Sequence, residues 1–579
     1  MAASPAKPLT ARDQASVAEA RALAARAKAA QAALAELPQA AIDAVVDAMA
    51  AAAAAHAEPL ARLAVEETGY GVVADKVQKN LFAARDVHAF IRPMATVGVV
   101  ARHPERRLIE IAEPFGVVAA IVPSTNPTST AIYKLLIAVK ARCAVVLSPH
   151  PSAARCITAT ATLLHDAART AGLPEGAIGW MTTVTLAGTQ ALMAAREVAV
   201  ILATGGLGLV RAAYSAGKPA YGVGPGNAPC YVERSADVAK AADDILAGKT
   251  FDNGVLCSSP NAVVVDRAVA PALRAALAAG GGHFLSAAEA ARLAAALVGP
   301  ERLPNPALVG KSAAVIAREV GLSVPDGTRA LLVELAGVGR DHPLSIEKLC
   351  PVLAYYEVAD WREGCERCTQ ILRYGGLGHT MSIHSQDDQV ILQFGLRKPA
   401  FRICVNTPTT HGSIGLTTGL DPAMTLGCGG FGGNITSDNI TPRHLLNIKR
   451  VAYELRPRRA ARPVTAAAAA PDVAPDSGAA APPLPRVPLT PQTAIPADRL
   501  AAGIDRLLAQ RQGPAAPPQA TAAAHPPAAA EAFICEDDVR QAVRAGRRLV
   551  VGPRTILTPA ARDAGAALDG FIWLDGTPR

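Results

Sequence analysis

Of the ten cysteines in this 579-residue chain, Cys257 stands in the setting best suited to nucleophilic chemistry. It follows the Gly-containing turn of Phe251–Val255 and precedes the β-branched run Ala262–Asp266, which reads as a buried strand. A thiolate held there can add to a carbonyl carbon and keep the acyl group as a thioester. The plain alternative is one more small buried hydrophobe, as most lone cysteines are. Its neighbours in sequence carry compatible chemistry. Asn126, in the turn Pro123–Pro127 with Ser124, offers an amide to an oxyanion, although Asn-Pro marks turns in any case. Thr204, Gly205 and Gly206 follow an apolar strand and open a helix, where glycines let backbone approach a pyrophosphate; the spacing is not GxGxxG. Gly222–Pro229 lies about thirty residues before Cys257, on the order of one βα unit.

The elements needed to position these groups are legible as patterns. Residues from about Thr10 to Asn80 read as Ala-rich helices, with Leu23, Ala27 and Ala30, then Ile42, Val45, Val46 and Met49 at helical spacing. Alternation predicts a hairpin at about 96–113. From Gly116 the pattern becomes strand, turn, helix, repeated at Ala144–Pro151, Val198–Gly206 and Ala220–Val223; alternating βα units predict a parallel, helix-covered sheet. The expected division is a dinucleotide-binding domain over 1–236, a thiol-bearing α/β domain over 237–433, a strand region over 434–456 and a Pro/Ala-rich extension over 457–579.

Taken in order, these motifs resemble the CoA-acylating branch of the aldehyde dehydrogenase superfamily, from the first helices to Tyr453. The resemblance is to the aldehyde dehydrogenase half of bifunctional aldehyde-alcohol dehydrogenases and to acylating sulfoacetaldehyde and succinate-semialdehyde dehydrogenases. It implies an α/β aldehyde dehydrogenase fold with a Rossmann-like cofactor domain, an α/β catalytic domain and a small β oligomerisation element made by the hairpin and a closing strand within 440–451. It implies oxidation of a small aldehyde with NAD or NADP and coenzyme A, giving acyl-CoA. Cys257 takes the nucleophile's place and Asn126, with the Cys257 N–H, the oxyanion site. Thr204, Gly205 and Gly206 match the dinucleotide loop, with Ser124 beside it. Ser148 and His150 stand where hydrolytic relatives have a Lys-Pro pair on the adenosine ribose. Glu347 matches the nicotinamide-ribose carboxylate; its alternative is a surface carboxylate. In Tyr374–Thr380, His379 is expected to deprotonate or position CoA, or else to be a turn histidine satisfied by backbone. At Val223 hydrolytic members carry a glutamate that activates water; its replacement predicts acyl transfer to a thiol instead. Arg402 is expected near the substrate, favouring an anionic aldehyde. A homodimer or homotetramer is implied.

Composition bounds the remaining possibilities. The length calls for two or three domains, and 50% hydrophobic residues support a globular body. The net charge of +8 is spread without interleaved aromatics, which argues against nucleic acid. Unpaired cysteines read as reduced thiols, no apolar run reaches the roughly 18 residues of a bilayer span and no metal-ligand cluster stands out, Cys365-x-x-Cys368 having no second pair. A cytoplasmic protein that holds no metal is expected. Pro/Ala-rich stretches at 457–496 and 513–532 read as disordered linkers. Between them, Leu500, Ile504, Leu507 and Leu508 share one face of an amphipathic helix at 497–511. That tethered helix resembles encapsulation peptides, implying shell proteins of a bacterial microcompartment as partners, against packing on its own body. The terminal piece, 533–575, has enough apolar content to fold or dock. Two rival readings stand beside acylation: a hydrolytic dehydrogenase, and a shell-docking scaffold whose enzymatic body is secondary.

Overall fold

The computed structural model describes residues 9–456 and parts of 533–573. The expected amphipathic helix at 497–511 lies outside the described residues. Leu9–Pro457 forms one compact unit, and the C-terminal segment belongs to another.

In the first unit, Ala-rich helices Ala11–Ala35, Gln39–Ala55 and Ala57–Thr68 lead into Val73–Leu81, which continues through a π-helical turn over Phe82–Val87. Thr10 caps the first helix with a reciprocal Asp13 contact, satisfying donors that a helix start leaves unpaired. Small side chains let these helices lie close on the sheet, and Ala20, Ala24, Ala27 and Leu34 are fully buried or nearly so.

Three strands form an antiparallel sheet: β1 (Gly98–His103), β2 (Leu108–Pro114) and β15 (Leu446–Ala452), in the order β1-β2-β15. The hairpin falls where alternation puts it, and the chain returns more than 300 residues later to add the third strand.

The other strands form two parallel sheets. The first holds β3 (Val117–Val122), β4 (Val145–Pro149), β5 (Ile178–Trp180), β6 (Val198–Thr204) and β7 (Ala220–Val223), ordered β5-β4-β3-β6-β7. The order reverses between β4 and β6 on either side of β3, and ligands of open α/β sheets bind at such a switch point. The second sheet has seven strands: β8 (Ala228–Val232), β9 (Pro260–Asp266), β10 (Gly282–Phe284), β11 (Ala330–Glu334), β12 (Val352–Val358), β13 (Gly378–His384) and β14 (Ala400–Val405). Its order is β10-β11-β12-β9-β8-β13-β14. Every residue of β3, β8, β9 and β13 is buried, as expected of parallel strands covered on both faces.

The sheets divide at 224–227, ahead of the expected boundary near Asp237. Ala228–Val232 already pairs with β9 and β13, because the crossover itself is 224–227. The chain also leaves the thiol-bearing sheet before 433: Ile414, Ala423 and Leu426 pack in the core of the first sheet.

The second unit is small. Strand pairs 533–534 with 556–557 and 549–551 with 571–573 are parallel, and helix Glu536–Arg544 accompanies them. Ile534, Val539, Leu549, Val551 and Phe571 form its core. Among the described residues, no single helix is long and apolar enough to cross a membrane.

Candidate active site

The loop before Cys257 owes its shape to three consecutive residues in the left-handed region: Asp252 (φ 51°), Asn253 (φ 53°) and Gly254 (φ 73°). Asp and Asn tolerate that region better than most side chains, and glycine takes it freely. The chain thereby turns from the helix Val238–Thr250 into β9 and leaves Cys257 partly exposed at the strand's entrance. The other eight described cysteines are buried.

Asn126 stands between β3 and the helix Pro127–Lys140. Proline at the first helical position suits a helix start, where its missing N–H costs nothing. Asn126 makes no capping bond to that helix. Its Oδ1 accepts from Lys79 Nζ at 2.5 Å, and its Nδ2 lies 3.3 Å from Thr125 Oγ1. Turn chemistry therefore does not account for its side chain.

Cys257 and Asn126 line one cavity of about 470 Å³, set against the C-terminal ends of β3, β4, β6 and β7. Ser124, His150, Thr204, Gly205, Gly206 and Glu347 line it too, so eight of the ten residues singled out in the sequence meet on its walls. Ser148 does not. It is fully buried at the end of β4, and its hydroxyl bonds Thr189 Oγ1 at 2.8 Å. His379 does not either. It lies behind Gly226, where an added Cβ would stand 3.1 Å from its Nδ1, and that nitrogen lies 3.0 Å from Thr380 Oγ1. Its Nε2 is buried without a partner, and burial, then Arg402, pulls its pKa down to about 3, so the ring is neutral. A CoA-side role for His379 thus meets a ring with no face on the cavity.

Burial pushes the Cys257 thiol up to about 12, with Glu347 adding to the shift. Burial likewise raises Glu347 to about 7, opposed by the Gly226 N–H that its Oε1 accepts at 2.8 Å. Glu347 is the single carboxylate among the described residues lining the cavity, and Val223 stands at the end of β7. Among the described residues no lysine or arginine lines it. Arg402, expected on the substrate side, is 2% exposed, with its guanidinium on the carbonyls of Gly427 and Ser437 and on Asn439 Oδ1. Hydrogen bonds to these groups, with Thr380 Oγ1 and the Gly378 carbonyl, take up its donors.

The walls fit a dinucleotide. Thr204 Oγ1 is buried without a partner, and a Cβ at Gly206, which caps the helix Leu207–Tyr214, would meet nothing within 4 Å. A helix N-terminus with open backbone suits a phosphate. His150 Nδ1 takes the Ser152 hydroxyl at 2.8 Å, which leaves Nε2 as the ring's donor. Thr185, Leu186 and Thr189 complete this side; nothing in their sequence marked them.

Two further contributors were not legible: Lys76 and Lys79, each 2% exposed, both ion-paired to Asp252. Burial lowers Lys79 to about 8 against the pull of Asp252.

The switch-point α/β sheet and the α/β sheet entered through Cys257 share one cleft. The aldehyde dehydrogenase family pattern matches residues 3–281. The chain is 42% identical over 441 residues to the bifunctional aldehyde-alcohol dehydrogenase of Escherichia coli, covering 75% of this chain and 49% of that protein. It is 36% identical over 428 residues to the succinate-semialdehyde dehydrogenase (acetylating) of Clostridium kluyveri, covering 74% and 94%. The structure matches that of an acetylating aldehyde dehydrogenase from Geobacillus thermoglucosidasius with a TM-score of 0.77 and 49% identity, over 78% of this chain and 100% of that one. This chain belongs to the aldehyde dehydrogenase family. It spans about half the length of the curated aldehyde-alcohol dehydrogenases it matches.

Proposed function

We propose that the protein is a CoA-acylating aldehyde dehydrogenase, converting a small uncharged aldehyde, CoA and NAD(P)+ to acyl-CoA, NAD(P)H and a proton. The observation that carries this reading is a partly open Cys257 lining the same cavity as Asn126, with an apolar Val223 at its β7 position. The Cys257 sulfur, deprotonated, adds to the aldehyde carbon. The new oxyanion takes hydrogen bonds from Asn126 Nδ2 and the Cys257 N–H. Thr204, Gly205 and Gly206 would hold a nicotinamide cofactor, which would supply the hydride acceptor that lets the adduct become a thioester. Without a carboxylate at Val223 to activate water, the CoA thiol is the better acceptor of the acyl group. Apolar walls at Val255, Leu256, Leu349 and Met424, with no cation among them, suit an uncharged aldehyde.

One observation favours a second reading, hydrolysis. Glu347 lines the same cavity as Cys257 and is raised to about 7, in the range of a working general base. The two readings separate in one assay: NADH formed from short aldehydes with and without CoA. Acylation predicts one equivalent of NADH per site without CoA and steady turnover with it. Steady CoA-independent turnover, lost in Glu347→Gln, refutes acylation in favour of hydrolysis.

The β1-β2-β15 sheet supports assembly as a homo-oligomer, since Ile448, Val451 and Tyr453 leave apolar surface exposed along β15 and beyond it. Targeting to a microcompartment shell rests on the apolar face at 497–511; deleting 497–511 should abolish co-purification with shell proteins while turnover persists.

A further inference from the structure

Two buried lysines sit one turn apart on Val73–Leu81, on the same face, beneath the oxyanion turn and the nucleophile loop. Lys76 Nζ donates to the Thr125 carbonyl at 3.1 Å and to Asp252 Oδ2 at 2.9 Å. Lys79 Nζ donates to Asn126 Oδ1 at 2.5 Å and to the same Asp252 oxygen. Asp252 is fully buried; its Oδ1 takes the Val72 N–H at 2.7 Å, and its own N–H goes to Asp75 Oδ2 at 2.7 Å. Burying two ammoniums and a carboxylate is expensive, and an apolar packing of similar volume is often at least as stable. The cluster is therefore poorly explained as a device for stability alone.

Its geometry does explain an orientation. The two edges of an asparagine amide are nearly equal in shape and opposite in polarity, so a flipped Asn126 would turn its carbonyl oxygen toward the developing oxyanion. An ammonium has donors and no acceptor, so it meets the Oδ1 edge alone and puts Nδ2 on the opposite edge, whose partner in the structure is the long 3.3 Å contact to Thr125 Oγ1. Among the described residues Lys79 is the donor that Oδ1 has; the helix behind Asn126 gives it none. A charged donor on the carbonyl also polarises the amide, strengthening its N–H groups as donors. Asp252 supplies the countercharge and ties this strut to the loop five residues before Cys257.

We propose that Lys79 is a positioning residue for the oxyanion site, locking the amide of Asn126 so that Nδ2 faces the reacting carbonyl, with Asp252 as its anchor. The inference rests on the functional reading above, and its test uses the step common to acyl transfer and hydrolysis: the first-turnover burst of NADH without CoA. A wild-type protein with no burst would sink that reading itself; the coupling of two substitutions addresses the lysine.

The experiment is a double-mutant cycle of Lys79→Met and Asn126→Ala in the full-length protein, reading burst rate, aldehyde KM and NAD+ affinity. Losing an oxyanion donor outright costs about 10²–10³ in rate. Lys79→Met should slow the burst by about 10–100-fold, a part of that loss, with aldehyde KM and NAD+ affinity within about twofold. In the Asn126→Ala background the same substitution should slow it less than about twofold further, since there is no amide left to orient. Should Lys79→Met fail to fold, Lys79→Gln is read in the same cycle, with a smaller loss that again vanishes without Asn126. An equal loss in both backgrounds, or a loss appearing in NAD+ affinity with the burst intact, would overturn the proposal in favour of a merely structural lysine.

Discussion

Gly226 is the tightest point between the crossover and the nucleophile. Its N–H is bonded to Glu347 and its carbonyl takes Asn261 Nδ2 at 3.1 Å, so the residue is held on both sides. A Cβ built there lies 2.0 Å from the Cys257 carbonyl oxygen and 2.9 Å from its carbonyl carbon. Those atoms are backbone, so no rotamer change relieves the contact. Real Cβ contacts essentially never fall below 3.0 Å, and opening 2.0 Å to that limit moves the Cys257 backbone or the crossover by about 1 Å. A displacement of that size at a reacting group costs on the order of 10²-fold in rate. Gly226→Ala should therefore lower kcat for NADH formation about 100-fold while NAD+ affinity, which the proposed function assigns to Thr204, Gly205 and Gly206, changes little. Circular dichroism and a melting curve would show whether the fold persists. A folded Gly226→Ala enzyme with kcat within about threefold of wild type would refute the claim that the crossover fixes the sulfur.

Other perturbations test the charges. With Cys257 pushed up to about 12, the thiolate fraction of the free enzyme rises tenfold per pH unit, so alkylation by iodoacetamide should accelerate steadily from pH 7 to 10; a plateau below pH 9 would contradict a thiol held neutral by desolvation and the Glu347 charge. Glu347 is raised from 4.5 to about 7, so between those values the folded state holds a proton that the unfolded state releases, and stability falls as pH rises through that window. Glu347→Gln removes this dependence, and its urea midpoint relative to wild type should climb from pH 4.5 to 7 and then level; a pH-independent difference would argue that the carboxylate is not buried. Arg402→Met leaves the carbonyls of Gly427 and Ser437 without their buried charged donor and should cost about 2–5 kcal/mol in chemical denaturation, with no change in preference between charged and uncharged aldehydes. A loss of under about 0.5 kcal/mol would show the guanidinium to be dispensable.

What was legible in the sequence was local. Cys257 between a Gly turn and a β-branched run, Asn126 after a buried strand, and Thr204–Gly206 before a helix are each readable within about ten residues, because strand periodicity and turn chemistry are short-range signals. The repeated βα units likewise announced parallel sheets. The misplaced features depend on what arrives from elsewhere in the chain. Ser148 is buried by Thr189, 41 residues away, and Arg402 is consumed by carbonyls 25 and 35 residues downstream. The sheet boundary was set late because Ala228–Val232 reads the same whichever sheet it joins; its pairing with β9 and β13 decides. Lys76 and Lys79 were missed for a stronger reason. Lysines beside an aspartate on a short helix look like a solvated face, and it takes contacts 173 and 176 residues away at Asp252, and 47 and 49 residues away at Asn126 and Thr125, to turn them inward. A charge that the sequence pattern assigns to water but the fold places against the nucleophile loop carries more information about the site than an expected glycine does. Its burial has a cost, and among the surrounding groups the oxyanion amide is the one whose function requires a fixed donor on its oxygen.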